Sequence, residues 1–279
     1  MEEYYFLFGA ALIATLIACV QDIKKREVSN WLNFSFLSVV LAYRVFYSIL
    51  NGDFKFLGLG LLGLGLFLLI GEALYYSGGF GGGDIRLLRA FGVVLPYQSY
   101  LEVLVLGMGF VFLFLLSGVV YSLFYSVFLV FARKEKFVIE FRKNIGKYWY
   151  FFLPSIIFFI IILAVLEFDL LVLLIFLILP LLFIYLKSLD NCMIKLVSPR
   201  KLTAGDWLVQ DVRIGKRIIK KNVHGLNEQE IKMLMKYNKK VLIKDGIPFT
   251  PVFLIALIVM VFFFSKLLAL AYGLLAYFS

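Results

Sequence analysis

Two aspartates beside long apolar runs are the residues of this sequence best suited to catalysis. Asp84 follows the run Gly-Gly-Phe-Gly-Gly-Gly at residues 78–83, and Asp22 follows the apolar residues 4–20. A charge at the centre of a membrane helix costs roughly 2.5–3.5 kcal/mol on insertion scales, so acids beside such segments indicate function. The pair therefore predicts carboxylate chemistry at membrane depth.

Two carboxyl groups that share a site can hydrolyse a peptide bond. The ionised one activates water, while the protonated one donates a proton or hydrogen bond to the carbonyl oxygen. Mutual repulsion separates the two pKa values and retains one proton at working pH. Asp22 and Asp84 can meet if the first and fourth apolar segments pack together. Glycines at 81–83 would allow that packing and leave room for an extended substrate, which favours an intramembrane aspartic protease.

Each acid also has a simpler structural interpretation. Asp84 follows a glycine-rich loop and is well placed to be a helix N-cap, and Asp22 could be a solvated residue of a basic loop. Glu72, inside the third apolar run, could be a buried acid paired with Arg86 or Arg89, line water or face a substrate. The co-occurrence of two acids with the glycine run favours catalysis for the Asp22–Asp84 pair.

The composition is that of an integral membrane protein. Hydrophobic residues make up 63% of the chain, and several apolar runs approach the ~20 residues that a helix needs to cross a bilayer. The net charge of +10 arises from basic residues in loops beside these runs, which the positive-inside rule explains without nucleic acid. Cys19, Cys192 and His224 lack Cys or His neighbours in sequence, so the sequence predicts no disulfide framework, metal site or Ser-His mechanism.

The apolar runs predict an all-α polytopic membrane protein with about eight transmembrane helices, in a range of six to eight. The expected spans are 4–20, 31–50, 56–77, 84–100, 101–131, 149–166, 168–187 and 249–277. With eight spans, all basic segments lie on the cytoplasmic face, together with Asp22 and Asp84, and both termini lie outside. If 84–100 did not cross, the basic segment 133–147 would face outward.

This pattern divides the chain into three regions. They are a membrane core at 1–187 with the catalytic motifs in 1–100, a basic cytoplasmic insert at 188–248 and a C-terminal transmembrane helix at 249–279. The insert is predicted to be a small α+β unit, with short strands within 207–219 and a closing strand at 241–243. A helix is expected at 227–237, because Asn227 and Glu230 have the spacing of a capping box.

Several motifs resemble those of one peptidase family. Residues 81–84, Gly-Gly-Gly-Asp, fit the GxGD signature of intramembrane aspartic proteases. Residues 22–30, Asp-Ile-Lys-Lys-Arg-Glu-Val-Ser-Asn, and 84–88, Asp-Ile-Arg-Leu-Leu, resemble segments of type IV prepilin peptidases and the archaeal preflagellin (archaellin) peptidases. Residues 205–208 and 244–251 look like the C-terminal part of some archaeal members, but the residues themselves indicate no role for them.

The resemblance implies that Asp22 and Asp84 are the catalytic pair and that Gly81 and Gly83 belong to the active-site loop. It also implies removal of a short basic leader from pilin-like or archaellin precursors at the cytoplasmic face of the cell membrane, without a metal or organic cofactor. No CxxC motif precedes the first span, so a peptidase-only, archaeal-type function is implied. Candidates for substrate contact or structural support are Glu72 and Asn30.

Two functions of other classes remain open from the sequence. A transporter or ion pathway could relay charge through Glu72, Asp22 and Asp84. A membrane scaffold could recruit partners through the basic segment 188–248. The peptidase is favoured over the transporter because its acids lie at the cytoplasmic ends of spans, next to a glycine loop, and not in broken helices at mid-membrane.

Overall fold

The computed structural model describes residues 2–78, 80–152, 154, 156–158, 170–215, 217–222 and 225–278. Most of the predicted span 149–166 lies outside these residues, as do Gly79 and His224. The α-helices with defined bounds in the described part of the chain are α1 (Tyr5–Lys25), α2 (Asn30–Asn51), α3 (Phe54–Tyr76), α4 (Gly82–Val94), α5 (Tyr100–Ala132), α6 (Lys134–Tyr148), α7 (Leu170–Cys192), α8 (Glu228–Lys236) and α9 (Pro251–Phe278).

Two compact units make up the chain: residues 1–122 with 247–279, and residues 123–246. Helices dominate both units, and the strands lie in the second. Among the described residues, α1, α2, α3 and α5 are long and apolar enough to cross a membrane. The prediction of a helical membrane protein with a small strand-containing region is confirmed at this level, whereas the count of eight spans is not.

Helix α4 is much shorter than the span predicted at 84–100. It has 13 residues, which corresponds to about 20 Å of helix against the about 30 Å of a bilayer core. The helix ends at Val94 because Leu95 precedes Pro96 and adopts the extended conformation that a residue before proline favours. Eight of its residues are buried, so α4 lies inside the first unit, packed against α2 and α3.

Two glycines bring the backbones of α3 and α4 into contact. A Cβ atom built on Gly63 would lie 2.1 Å from the carbonyl oxygen of Gly92, and one built on Gly92 would lie 2.5 Å from the carbonyl oxygen of Gly63. Both distances are far below van der Waals contact, so neither position has room for a side chain. Small residues at such crossings are what allow membrane helices to approach closely.

A buried arginine holds the C-terminal end of α4. Arg44 of α2 donates hydrogen bonds from Nε to the Val93 carbonyl at 2.7 Å and from Nη2 to the Leu95 carbonyl at 2.9 Å. Its Nη1 reaches the Phe56 carbonyl in the first turn of α3 at 2.6 Å. The last carbonyls of a helix lack partners within the helix and attract a cation. Arg44 therefore fixes the end of α4 opposite to Asp84.

The second unit contains the predicted α+β region. Its strands are β1 (Ile194–Val197), β2 (Trp207–Leu208), β3 (Val212–Ile214), β4 (Arg217–Ile219) and β5 (Val241–Lys244). Strand β5 is the middle strand of an antiparallel sheet in the order β1-β5-β2, and β3 pairs with β4 in a separate hairpin. The closing strand predicted at 241–243 is thus central. Asn227 and Glu230 form the predicted capping box at the start of α8.

The basic segment expected as a loop at 133–147 is a helix, α6. Its apolar residues recur at helical spacing: the rings of Phe137 and Phe141 stack with centroids 5.4 Å apart. Phe137 also packs edge-on against Tyr185 of α7 at 5.7 Å. Charged residues dominate the sequence of this segment, but this four-residue periodicity is enough to form an amphipathic helix.

Candidate active site

Asp22 lies in the last turn of α1, in a buried environment. Only 7% of its surface is exposed, so the interpretation as a solvated loop residue is wrong. The helix ends three residues later, where Arg26 adopts a left-handed conformation and its N–H donates to the Asp22 carbonyl at 2.8 Å. The chain thus turns after Lys25, and both Lys24 and Lys25 are exposed in the last turn of the helix, where Asp22 is buried.

Asp84 is the third residue of α4 and not its N-cap. The N-cap position belongs to Gly81, whose backbone is extended. The backbone of Gly81 is hydrogen-bonded to the Asp84 carboxyl group, and the charge of Asp22 acts on the same carboxyl group. The structure therefore brings the two predicted catalytic acids together, one at the end of α1 and the other at the start of α4.

A third chain segment reaches Asp22 from the far end of the sequence. The backbone N–H of Thr250 donates to Asp22 Oδ2 at 2.9 Å, and the Thr250 hydroxyl donates to the same oxygen at 2.8 Å. Thr250 is completely buried and directly precedes Pro251, the first residue of α9. Because a helix N-terminus carries partial positive charge, this end of α9 favours a carboxylate beside it.

The beginning of α2 braces the start of α4. The side-chain amide of Asn33 donates to the Gly83 carbonyl at 3.2 Å, and Arg86 donates to the side-chain oxygen of Asn30. Asn33 is buried, and its own side-chain oxygen has no hydrogen-bond partner within the described part of the chain. Asn30, predicted to contact the substrate or to support the structure, is the first residue of α2 and links that helix to Arg86 of α4.

The positions before Asp84 differ in whether their backbone conformation favours glycine. Gly78 has a positive φ of 74°, which favours glycine, whereas the φ of Gly81 is −74° and open to any residue. A Cβ atom on Gly81 would lie 3.4 Å from Asp84 Oδ2, and one on Gly83 would lie 3.5 Å from the Val28 carbonyl oxygen. At these two positions a side chain would therefore touch the acid itself or the segment that follows α1, without a severe clash.

The contact that Glu72 makes joins α3 to α4 and does not involve Asp22 or Asp84. Glu72 forms an ion pair with Arg89 of α4, one of the two partners expected for it, and its side chain is 48% exposed. The expectation of a buried acid is therefore wrong. Its negative charge is compensated by Arg89, which leaves Glu72 as a link between α3 and α4.

Chemically, the site offers two carboxyl groups with different hydrogen-bond donors, Thr250 for Asp22 and the backbone of Gly81 for Asp84. Such an arrangement can hold one proton between two acids and activate water, as peptide hydrolysis by a carboxyl pair requires. No cluster of three His, Cys, Asp or Glu side chains suited to a metal occurs within the described residues.

Thr250, Asn33 and Arg44 are not among the site residues predicted from the sequence. A signal for Thr250 was present, since a threonine followed by proline is typical of an N-cap and the first position of a helix. That pattern predicts the start of α9, but it contains nothing about the distant carboxylate that Thr250 contacts. Asn33 and Arg44 lie inside an apolar helix, where polar residues suggest a buried partner without naming it.

Comparisons with known proteins agree with the motifs. Residues 9–132 match the type IV leader peptidase family. The preflagellin peptidase of Methanococcus voltae is 27% identical over 93 residues, which are 33% of this chain and only 40% of that protein. No solved structure matches significantly. The family match contains Asp22 and Asp84 but ends well before Thr250.

Proposed function

We propose that this chain, whose residues 9–132 match the type IV leader peptidase family, is a membrane-embedded aspartic endopeptidase. The observation that carries the proposal is the proximity of Asp22, at the end of α1, and Asp84, at the start of α4: the charge of Asp22 acts on the Asp84 carboxyl group. In that site one carboxylate activates water while the other carboxyl group protonates the scissile carbonyl. Gly81 is the N-cap of α4 and Gly83 lies in its first turn, so Gly83 is not the loop residue expected from the sequence; both positions border the proposed path of the substrate backbone.

The proposed substrates are pilin-like or archaellin precursors, from which the enzyme removes a short basic leader. The name of the relative from Methanococcus voltae, preflagellin peptidase, supports this class. The cut precedes the hydrophobic segment of the precursor, which requires an active site at the membrane surface. Asp22 and Asp84 suit this requirement because both lie at helix ends.

We place this site at the cytoplasmic face of a multi-pass protein with about eight spans. Two candidate spans, α2 and α3, separate Asp22 from Asp84 in sequence, and two crossings return the chain to the face from which it started. The shared face of the two acids therefore depends on α1 to α3 alone, whether or not α4 crosses. The basic residues after Asp22 favour the cytoplasmic side.

The test is coexpression with candidate precursors that carry a short basic leader, followed by N-terminal sequencing of the product. Wild-type protein should cleave before the hydrophobic segment, and Asp22→Asn and Asp84→Asn should each abolish cleavage at normal expression. Asp53→Asn is the matched control, because Asp53 is the N-cap of α3 and asparagine caps a helix equally well. Full cleavage by either active-site variant would exclude the carboxyl pair.

The alternative of an ion pathway is less well supported, because Glu72 is already paired with Arg89. It predicts proton- or ion-dependent flux in proteoliposomes and no proteolysis. A scaffold acting through 188–248 predicts loss of function on deletion of that segment and full function of both Asp→Asn variants.

A further inference from the structure

We propose that Thr250 is a positioning residue that keeps Asp22 ionised, so that Asp22 activates the water and Asp84 supplies the proton. This assignment of roles rests on the proposed function of the site. It adds a residue of the C-terminal segment, which lies outside the family match, to the catalytic arrangement.

The hydrogen bonds to Asp22 carry the inference. One oxygen, Oδ2, accepts both the backbone N–H and the hydroxyl of Thr250, at 2.9 and 2.8 Å. A carboxylate that accepts two donors is stabilised in its charged form. Thr250 is completely buried and Asp22 nearly so, which protects both bonds from competition by water. Asp84 receives a backbone hydrogen bond from Gly81 and lies in the field of Asp22, so the proton shared by the pair belongs on Asp84.

The charged groups around Asp22 are consistent with this division of roles. Asp84 on α4 and the Cys19 thiol on α1 itself both interact electrostatically with Asp22, and both oppose its negative charge when ionised. The charged residue of α2, Arg44, is bonded to the other end of α4. Residues 251–264 of α9 contain no charge, and the lysines after Asp22 are exposed. On α4, Arg86 and Arg89 contact Asn30 and Glu72. The donors observed on Asp22 itself are the backbone N–H and the hydroxyl of Thr250, at the start of α9.

Aromatic packing holds the segment that carries Thr250. The ring of Phe249 lies 5.4 Å from that of Phe80, in the glycine-rich loop before Asp84, and 5.6 Å from that of Phe114 of α5. Gly118 leaves space for it, since a Cβ atom there would lie 2.7 Å from the Phe249 ring. The two loops that border the carboxyl pair are thus packed against each other, which fixes the donor before substrate arrives.

The proton balance of the reaction follows from these roles. Water adds to the scissile carbonyl carbon, Asp22 takes a proton from it, and Asp84 protonates the carbonyl oxygen to form a gem-diol. Asp22 then gives its proton to the amide nitrogen, the C–N bond breaks, and Asp84 recovers a proton from a gem-diol hydroxyl. The products are an acid and an amine, and both aspartates regain their starting states.

The test compares pH–rate profiles of the full-length enzyme with Thr250→Val, Thr250→Ser and Thr15→Val. Loss of the hydroxyl bond in Thr250→Val should lower kcat about tenfold and move the acid limb up by about one pH unit, because a less stabilised base loses its charge at higher pH. Thr250→Ser should retain the wild-type profile. Thr15→Val removes another completely buried hydroxyl, bonded to Ala11 within α1, and should change neither quantity. An unmoved acid limb in Thr250→Val would overturn the proposal.

A second measurement separates this proposal from the function on which it rests. Infrared titration of purified Asp84→Asn protein follows protonation of Asp22 directly, with Asp22→Asn/Asp84→Asn as the reference. Adding Thr250→Val, or Thr250→Ala if that variant does not fold, should bring the protonated carboxyl band of Asp22 to higher pH. A shifted band with no cleavage of any precursor by wild type would refute the peptidase and keep the role of Thr250. An unshifted band would refute that role even if precursors are cleaved.

Discussion

At the residue scale, the two acids of the site differ in what surrounds them. Asp22 is bonded through one oxygen to Thr250, whereas Asp84 lies in the first turn of α4 next to the backbone of Gly81. In a carboxyl pair this difference decides which group stays charged, since a charged acceptor prefers the site with more donors. The different roles that we propose for two identical side chains rest on this difference in their neighbours.

The geometry of the pair predicts a strong effect of side-chain length. Asp84→Glu adds one methylene and moves the carboxyl group by roughly 1 Å from a site whose reaction depends on alignment, so cleavage should fall by about 100-fold. The measurement is the rate of leader removal from a purified precursor. Asp190→Glu is the control, because it lengthens a partly exposed acid that is ion-paired with Lys244. Equal rates for wild type and Asp84→Glu would contradict a pair held in fixed geometry.

At the element scale, three helix ends and one bracing helix position the site. The end of α1 carries Asp22, the start of α4 carries Asp84, and the residue before α9 binds Asp22. The start of α2 holds the first turn of α4 through Asn33, while Arg44 holds its other end. Placement of Asp84 therefore depends on how closely α4 packs against its neighbours along its whole length.

The contact between α3 and α4 predicts opposite outcomes for two glycines of one helix. Gly63→Ala places a Cβ atom 2.1 Å from the Gly92 carbonyl oxygen, so the helices must separate, with loss of thermal stability and cleavage. Gly65→Ala, at the second position after it, meets nothing within 4 Å and should be neutral or slightly stabilising through higher helix propensity. Thermal denaturation in detergent measures both. Equal stability of the two variants would show that the close approach is dispensable.

At the scale of the whole molecule, the chain joins a helical unit that contains the acids to a second unit with a small sheet. The helical unit combines the two ends of the sequence, residues 1–122 and 247–279. A truncated chain ending before Thr250 would therefore lack the residue that binds Asp22. The domain bounds predicted from sequence, at 187 and 248, stay a prediction.

Membrane topology is a prediction at this scale. In a protein without Cys19 and Cys192, single cysteines at Lys25 and Lys143 should react with an impermeant thiol reagent from the cytoplasmic side, and one at Asn51 from the opposite side. The controls are the same cysteines in detergent, where all should react. If the cysteines that replace Lys143 and Asn51 react from the same side, α4 does not cross the membrane. The topology with eight spans would then be wrong.

The sequence by itself determined what depends on local chemistry. Apolar runs predict α1, α2, α3 and α5, since crossing a bilayer requires continuous hydrophobic length. Residues three apart in the chain predict the capping box of α8. Two acids beside a glycine run, with flanking residues that resemble a peptidase family, are enough to indicate carboxyl chemistry.

Only the tertiary structure decided how distant segments meet. The hydrogen bonds between Thr250 and Asp22 join residues 228 positions apart, and no periodicity or motif records such a contact. Likewise, the apolar stretch at 84–100 has the hydrophobicity of a span, but its helix ends at Val94, before Pro96, and most of its residues are buried within the first unit. Hydrophobicity reports that a segment avoids water; packing alone determines whether lipid or protein surrounds it, and which donors face each aspartate.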